Sequence, residues 1–161
     1  MVRKALLAQV LGLALALITA PVASASPPTI TPLAFTSATG RFCPSFDVTI
    51  SAVTNMEKAI TFSGGATIIT GAFAVELTNL SNNKSIEIKA SGPVFISSTG
   101  TAATLRGQSL LIGEAGFFGA GAPPTLQFVS GVVALTLGPG GVTDKTVTGV
   151  VRNLCPVLAD P

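Results

Sequence analysis

The 161-residue chain contains no histidine, tryptophan or tyrosine. Without histidine it lacks the side chain that most often serves as general base, proton shuttle and metal ligand near neutral pH. A Ser–His–Asp triad is therefore excluded within the chain. Without tryptophan and tyrosine it also lacks the aromatic faces with a polar end on which sugar-binding sites usually rely. The composition therefore does not favour a hydrolase with a catalytic triad or a carbohydrate-binding protein.

Metal and phosphate sites have no support in the sequence either. Two cysteines, no histidine and no closely spaced cysteine pair cannot complete a zinc site. The glycine-rich stretches 116–121 and 138–141 lack the Lys-Ser/Thr ending and the following helix of a phosphate-binding loop. We therefore predict no catalytic residue, no metal and no cofactor. Hydrolysis by carboxylates alone is the enzymatic alternative left, and it needs two of the seven acidic side chains to converge in a concave pocket.

The first 25 residues have the three-part pattern of a secretory signal peptide. Arg3 and Lys4 precede an apolar stretch over residues 5–20, and Ala23-Ser24-Ala25 places small residues where a signal peptidase reads them. A membrane anchor is the alternative, but the stretch is shorter than the about 20 apolar residues that a span needs. We therefore expect cleavage after Ala25, a secreted extracellular protein, and no transmembrane anchor after cleavage.

Cleavage of this segment changes the charge of the protein. The nine basic residues less Arg3 and Lys4 leave seven, which face seven acidic residues, so the formal net charge becomes zero. The remaining basic residues are scattered singly along the chain. A neutral protein without a basic patch has no electrostatic reason to bind nucleic acid or an anionic membrane. We therefore exclude nucleic acid as a partner.

The remaining chain has the pattern of an all-β domain. From Phe46 to Leu154, valine, isoleucine, threonine and phenylalanine recur with period two, and clusters of glycine, proline and asparagine interrupt them every several residues. No window shows the apolar stripe of a helix. The pattern predicts a single-domain antiparallel sandwich or barrel of short strands joined by tight hairpins. We place this β-domain at residues 43–161, and we expect residues 26–42, rich in proline, threonine and serine, to form an extended or poorly ordered lead-in.

The most informative segment is a hairpin around the asparagine pair at 82–83. A two-residue type I′ turn suits asparagine, because this residue tolerates the left-handed backbone region. Such a turn places Leu77 opposite Ile88 on an apolar face and Glu76 opposite Lys89 on a polar face. We expect the charged pair to lie on a solvated sheet face and to contribute roughly 0.2–1 kcal/mol.

The two cysteines, Cys43 and Cys155, lie near the ends of the predicted β-domain. An exported protein folds in an oxidising environment, and an even number of cysteines fits one disulfide. Two free buried thiols or an intermolecular bridge are the alternatives. We predict an intramolecular Cys43–Cys155 disulfide, which contributes about 4–5 kcal/mol in the chain-entropy account because it closes a loop of about 110 residues.

Several turn and strand motifs of this chain occur together in a group of small secreted proteins. The motifs are Gly64-Gly65-Ala66-Thr67-Ile68-Ile69-Thr70-Gly71, Leu77-Thr78-Asn79, Lys84-Ser85, Ser91-Gly92-Pro93 and the closing Arg152-Asn153-Leu154-Cys155. On these motifs the chain resembles an uncharacterised family of small secreted β-rich proteins of actinobacteria. Arg106-Gly107 departs from the family pattern, in which glycine tends to precede arginine. The resemblance implies a secreted β-fold and no particular activity.

Residues 114–124 predict a flexible, glycine-rich loop that holds two adjacent phenylalanines, Phe117 and Phe118. One interpretation is that at least one of the two rings closes the end of the core. The other is that both rings form an exposed apolar contact loop for a protein partner, a lipid surface or self-association. This pair is the only contact site that the sequence nominates at the level of residues.

The sequence supports three functional hypotheses. The leading one is a secreted, non-enzymatic binding or structural protein of the cell surface or extracellular medium, whose partner is unknown. The second is a carrier of a small apolar ligand in a β-barrel cavity, which the composition of 48% hydrophobic and 10% charged residues favours. The third is the carboxylate-only enzyme. A filled or a hollow interior discriminates between the first two hypotheses.

Overall fold

The computed structural model describes residues 26–139 and 141–160, and within them the chain is almost entirely β. The predicted signal peptide, residues 1–25, lies outside the described residues. The strands are β1 (Thr29–Pro32), β2 (Ser37–Gly40), β3 (Val48–Asn55), β4 (Lys58–Thr61), β5 (Thr67–Thr70), β6 (Phe73–Asn79), β7 (Ser85–Lys89), β8 (Val94–Ile96), β9 (Ala102–Gly113), β10 (Thr125–Gly138) and β11 (Gly141–Asn153). A short helix, α1 (Cys155–Ala159), follows β11. No helix in this part of the chain has the length and apolar character that crossing a membrane requires.

The strands form two antiparallel sheets that share a core, so the fold is a sandwich. The larger sheet has seven strands in the order β1-β4-β5-β8-β9-β10-β11, and the smaller has four in the order β2-β3-β6-β7. Successive hairpins alternate between the sheets before the last four strands complete the larger one. Neither sheet closes on itself within the described residues, so the sandwich and not the barrel is the correct one of the two predicted architectures.

Strand β3 shows why the alternating sequence folds as a sheet. Side chains of a strand point alternately to its two faces. Val48 and Ile50 are buried with exposed fractions of 0% and 1%, whereas Thr49 and Ser51 on the other face retain contact with solvent. The two-residue period of the sequence therefore corresponds here to one buried and one partly exposed face of the strand.

The main core lies between the four-stranded sheet and one end of the seven-stranded sheet. Its buried members are Phe42, Cys43, Phe46, Val48, Ile50, Val75, Leu77, Leu126, Leu154, Cys155 and Leu158. A smaller cluster is formed by Leu111, Val129 and Val133 of β9 and β10. Because Phe128 packs on the main core and its neighbour Val129 belongs to the smaller cluster, the two clusters lie on opposite faces of the larger sheet.

The segment 26–42, expected to be extended or poorly ordered, contributes one strand to each sheet. Strand β1 pairs with β4 at the edge of the larger sheet, and β2 pairs with β3 at the edge of the smaller one. Both strands have four residues and are largely exposed. The ladder that β1 forms ends at Pro32, a residue that sheets tolerate at their edges. The segment therefore covers two sheet edges.

The β6–β7 hairpin has a different register from the predicted one. The ladder pairs are Leu77–Ile86 and Glu76–Glu87, in place of the predicted Leu77–Ile88 and Glu76–Lys89. The predicted register is therefore wrong by two residues. An even shift leaves every side chain on its predicted face, so Leu77 is still fully buried. The pairing on the polar face does change, because Glu76 lies opposite the carboxylate of Glu87 and not opposite Lys89 as predicted.

The turn between β6 and β7 is longer than predicted because its asparagines bind backbone groups of α1. Asn79 Nδ2 donates a 3.0 Å hydrogen bond to the carbonyl oxygen of Leu158, and Asn82 Nδ2 donates one of 3.1 Å to the same oxygen. The Oδ1 atoms of both asparagines accept the backbone N–H two residues further on, at 2.8 and 2.9 Å. Residues 80–83 form a four-residue loop, with Asn83 in the left-handed region at a φ of 60°.

We expect Asn79→Ala to lower the free energy of unfolding by about 1–3 kcal/mol, because Asn79 is only 2% exposed and its removal takes a hydrogen bond from the buried residue Leu158. Asn82→Ala is the matched control. Asn82 is exposed, so water can replace its hydrogen bonds and the cost is expected to be smaller. Urea unfolding of the two variants measures the difference. Equal costs would contradict the buried role of Asn79.

Three glycines face one another across the long strands β9, β10 and β11. Gly107 is opposite Gly131, which is opposite Gly149. A Cβ atom added at Gly131 would overlap the carbonyl oxygen of Thr148 and lie 2.9 Å from the Cα of Gly149. The backbones of β10 and β11 therefore approach each other here as only glycine permits.

Candidate functional site

The disulfide predicted from the sequence is present and lies inside the main core. Cys43 and Cys155 are bonded across 112 residues, with their Cα atoms 5.6 Å apart. Cys43 is fully buried and Cys155 is 8% exposed. The bond joins the segment before β3 to the start of α1. Its role is therefore structural, since it holds the C-terminal helix against the four-stranded sheet.

The two phenylalanines of the predicted contact loop differ in their exposure to solvent. Phe118 packs against the smaller cluster, and Lys145 Nζ lies 4.3 Å from the centre of its ring. Phe117 is 50% exposed and meets Phe118 edge to face, with ring centres 5.0 Å apart. The loop contains successive backbone hydrogen bonds, such as the 3.1 Å bond from the Phe117 N–H to the carbonyl oxygen of Glu114. One ring thus covers a core cluster, and the other contacts solvent.

We expect Phe118→Ser to lower the free energy of unfolding by about 1–3 kcal/mol, because a partly buried ring leaves the smaller cluster. Phe117→Ser is the matched control, and it should change stability by less than about 1 kcal/mol because half of that side chain is already in solvent. Thermal and urea unfolding of the two single variants measure this difference. A larger loss for Phe117→Ser would contradict the division of roles.

Two acidic side chains, Glu76 and Glu87, face each other in the described part of the chain, but they do so on the exposed face of the β6–β7 hairpin. Asp47 accepts a 2.6 Å hydrogen bond from Arg41 Nε in an exposed ion pair. Glu57 and Glu87 line two different surface depressions, and none of four depressions in residues 26–139 and 141–160 is lined by two carboxylates. These residues also contain no group of three potential metal ligands. The arrangement that carboxylate-only hydrolysis requires is therefore not found there.

Glu57 lines an apolar cleft of about 130 Å³ between the two sheets. The other lining residues are Phe73, Ala90, Gly92, Val94, Leu105, Ser109, Leu110 and Ile112. Burial in this cleft removes solvent from the Glu57 carboxylate and raises its pKa from the ordinary value of 4.5. The cleft is small, and it holds a single charged side chain.

The raised pKa of Glu57 predicts a specific dependence of stability on pH. Between its ordinary and its raised pKa, this carboxyl binds more protons in the folded than in the unfolded protein. Its contribution to the free energy of unfolding therefore falls as the pH rises from 4.5 through the raised pKa. Glu57→Gln should remove this decline and increase stability at neutral pH. Urea unfolding from about pH 4 to pH 8 tests both effects. An unchanged slope in the variant would contradict the prediction.

A second depression opens where β7, the edge of the four-stranded sheet, meets β9, β10 and β11. This seam groove has a volume of about 240 Å³ and is lined by Glu87, Ile88, Lys89, Gln108, Phe128, Arg152 and Leu154. Its floor is apolar, because Ile88 and Phe128 pack on the main core and Leu154 is 1% exposed. Its rim is polar and exposed, with two cationic side chains and one carboxylate. The groove can therefore hold an apolar body and an anionic end together.

Of four depressions in the described residues, the seam groove is the one whose lining combines apolar side chains with two cationic ones. A larger depression of about 300 Å³ beside the disulfide is lined without any charged side chain. Neither Lys89 nor Arg152 forms an ion pair within residues 26–139 and 141–160. Sequence reasoning missed this site, because its lining comes from four strands separated along the chain. No local motif could have indicated it.

No known protein-family model, no curated protein and no solved structure matches this chain. The resemblance to secreted proteins of actinobacteria therefore stays a prediction, and function has to be inferred from the sequence and the geometry of the molecule.

Proposed function

We propose that this chain is an exported, non-enzymatic binding protein of the cell surface or extracellular medium. Three features support the proposal. The first 25 residues have the pattern of a signal peptide. The domain is closed by a disulfide, which suits an oxidising compartment. The chain has no histidine, and none of four depressions in residues 26–139 and 141–160 is lined by two carboxylates.

The observation that carries the binding role is the seam groove. Ile88, Phe128 and Leu154 offer an apolar floor, and the two cations of the rim, which form no ion pair with any described residue, outnumber its one carboxylate. The volume of about 240 Å³ lies just below the roughly 300–1,000 Å³ of pockets for drug-sized ligands. The ligand class that this chemistry favours is a small amphiphile with an apolar body and a carboxylate end.

The seam groove also changes where an apolar ligand would be carried. The carrier hypothesis placed such a ligand inside a barrel, but neither sheet closes within the described residues. We therefore place the ligand in the groove between the sheets, where it remains in contact with solvent.

Titration with octanoate tests the binding role. We expect octanoate to shift the amide NMR signals of Ile88, Phe128 and Leu154. Lys89→Glu should weaken binding by roughly fivefold, the equivalent of about 1 kcal/mol for one exposed charge. Lys58→Glu is the matched control, since Lys58 is also exposed and lies outside the groove. Signal shifts elsewhere, or equal effects of the two variants, would refute the groove as the ligand site.

Export is tested separately by the mass of the protein in the culture medium. We expect a chain that begins at Ser26 and carries one disulfide, seen as no reaction with an alkylating reagent until a reductant is added. A chain in the cells that retains residues 1–25 would refute the exported location and leave the groove experiment unaffected.

A further inference from the structure

The sandwich has four sheet edges, and three of them are short. The edge strands β1, β2 and β7 have four, four and five residues. Strand β11 is the fourth edge and has 13 residues. An edge strand exposes a row of unpaired backbone N–H and C=O groups, which natural proteins protect by shortness, charge, proline or a covering segment. Of these four edge strands, β11 is the one that is too long for its length to protect it from pairing with another chain.

The outer side of β11 is also poorly protected by its chemistry. Within the described residues β11 pairs only with β10, and no other segment hydrogen-bonds to its backbone between Asp144 and Arg152. Val150 is 71% exposed and Val151 is 43% exposed. Lys145 is directed onto the ring of Phe118, and the chain from Thr146 to Val151 carries no charge. This combination is typical of a strand that pairs with another chain.

The existing ladder limits how β11 can pair with a second copy of itself. From Asp144 to Asn153 the ladder with β10 is regular, so outward-pointing backbone groups belong to every second residue. In an antiparallel pair, facing residues have the same hydrogen-bonding orientation. Two identical strands related by a two-fold axis must therefore have that axis at a residue and not between two residues. The number of permitted registers is small.

Charge selects one of these registers. An axis at Asp144 or Lys145 would place like charges opposite each other, which destabilises a sheet. An axis at Thr148 places Asp144 of one copy opposite Arg152 of the other, and the symmetry forms this pair twice. Axes at the residues on either side of Thr148 bring no opposite charges face to face. Asp144 and Arg152 are both exposed and so available for such pairing.

We propose that the protein forms a two-fold symmetric dimer in which β11 pairs antiparallel with β11 of a second copy about Thr148. The two seven-stranded sheets then join into one continuous sheet, and each end of the new ladder carries an Asp144–Arg152 pair. The chain after residue 25 has a formal net charge of zero, so no general repulsion opposes the association. Arg152 also lines the seam groove, so Arg152→Asp is expected to alter ligand binding as well, whereas Asp144 lies outside the groove and Asp144→Arg tests the dimer alone.

Sedimentation of oxidised protein comprising residues 26–161, which contains every described strand, tests the dimer. Asp144→Arg and Arg152→Asp each turn two attractive pairs into two repulsive ones, and each should raise the dimer dissociation constant by about tenfold. The double variant exchanges the two charges and restores the pairs, so its dissociation constant should return to within about twofold of the original. A protein that stays monomeric from micromolar to millimolar concentration, or a double variant as weak as the single ones, would overturn the proposal.

Two further variants test the edge and the register. Val150→Lys places a charge on the exposed edge and should abolish the dimer. Val53→Lys is the matched control, because Val53 is 54% exposed and lies on β3 in the interior of the other sheet. Thr148→Cys should form a disulfide-linked dimer on oxidation, and Thr146→Cys should not. Cross-linking through position 146 alone, or a dimer that Val150→Lys leaves intact, would overturn the proposal.

Discussion

Replacing both Cys43 and Cys155 by alanine is expected to lower the free energy of unfolding by about 4–5 kcal/mol. The bond closes a loop between residues 112 positions apart, and in the chain-entropy account a loop of about 100 residues corresponds to about 4.7 kcal/mol. Both cysteines belong to the main core. A small domain buries a limited apolar surface, so losing a covalent link there is expected to lower its stability strongly. Urea unfolding of the double variant and of the oxidised protein measures the effect.

The disulfide can also be removed chemically, without any substitution. Reduction followed by alkylation of the unfolded chain should give a protein that refolds poorly, whereas oxidised protein should refold. A double variant within about 1 kcal/mol of the original protein would mean that the disulfide adds little to the core around it, contrary to the loop-closure account.

Leu77→Ala is expected to lower the free energy of unfolding by about 2–5 kcal/mol. Leu77 is fully buried at the centre of the four-stranded sheet, opposite Ile50 on β3 and Ile86 on β7. Truncation loses the burial of the side chain and leaves a cavity that the surrounding side chains fill only in part. Urea unfolding with a linear extrapolation measures the cost.

Glu76→Ala is the matched control for this variant, since it alters the neighbouring residue on the opposite face of β6. Glu76 is exposed and lies opposite Glu87. Its removal relieves a like-charge pair, so stability should stay the same or rise slightly, by less than about 1 kcal/mol. Similar losses for both variants would contradict the assignment of the two faces.

The fold class and the facing of many strands could be predicted from the sequence. The alternation in Val48-Thr49-Ile50-Ser51 needs only the two-residue period of a strand, and the structure confirms it. The glycine pair Gly64-Gly65 is typical of a tight turn, and it lies between β4 and β5, where Gly65 has a φ of 87° that few other residues adopt. These features depend on residues close to one another along the chain, and local patterns report them well.

The hairpin register could not be predicted in the same way. Asn82-Asn83 has the composition of a two-residue turn, but Asn79 and Asn82 are held by the carbonyl oxygen of Leu158 in α1. The length of the turn is therefore set by a helix more than 70 residues away. The seam groove was missed for the same reason, because Ile88, Phe128 and Leu154 meet only when the two sheets pack.

By itself the sequence predicted the all-β class and the Cys43–Cys155 disulfide, because two-residue periodicity is a local signal and two cysteines allow a single intramolecular pair. Tertiary structure alone decided that the sheets form a sandwich, that Phe118 packs on a core cluster while Phe117 is half exposed, and that β11 has only one neighbouring strand among the described residues. The physical reason is that side-chain burial and strand neighbours depend on which distant segments pack together. An alternating pattern specifies that a strand has two faces, and only the assembled sandwich specifies what covers each face and each edge.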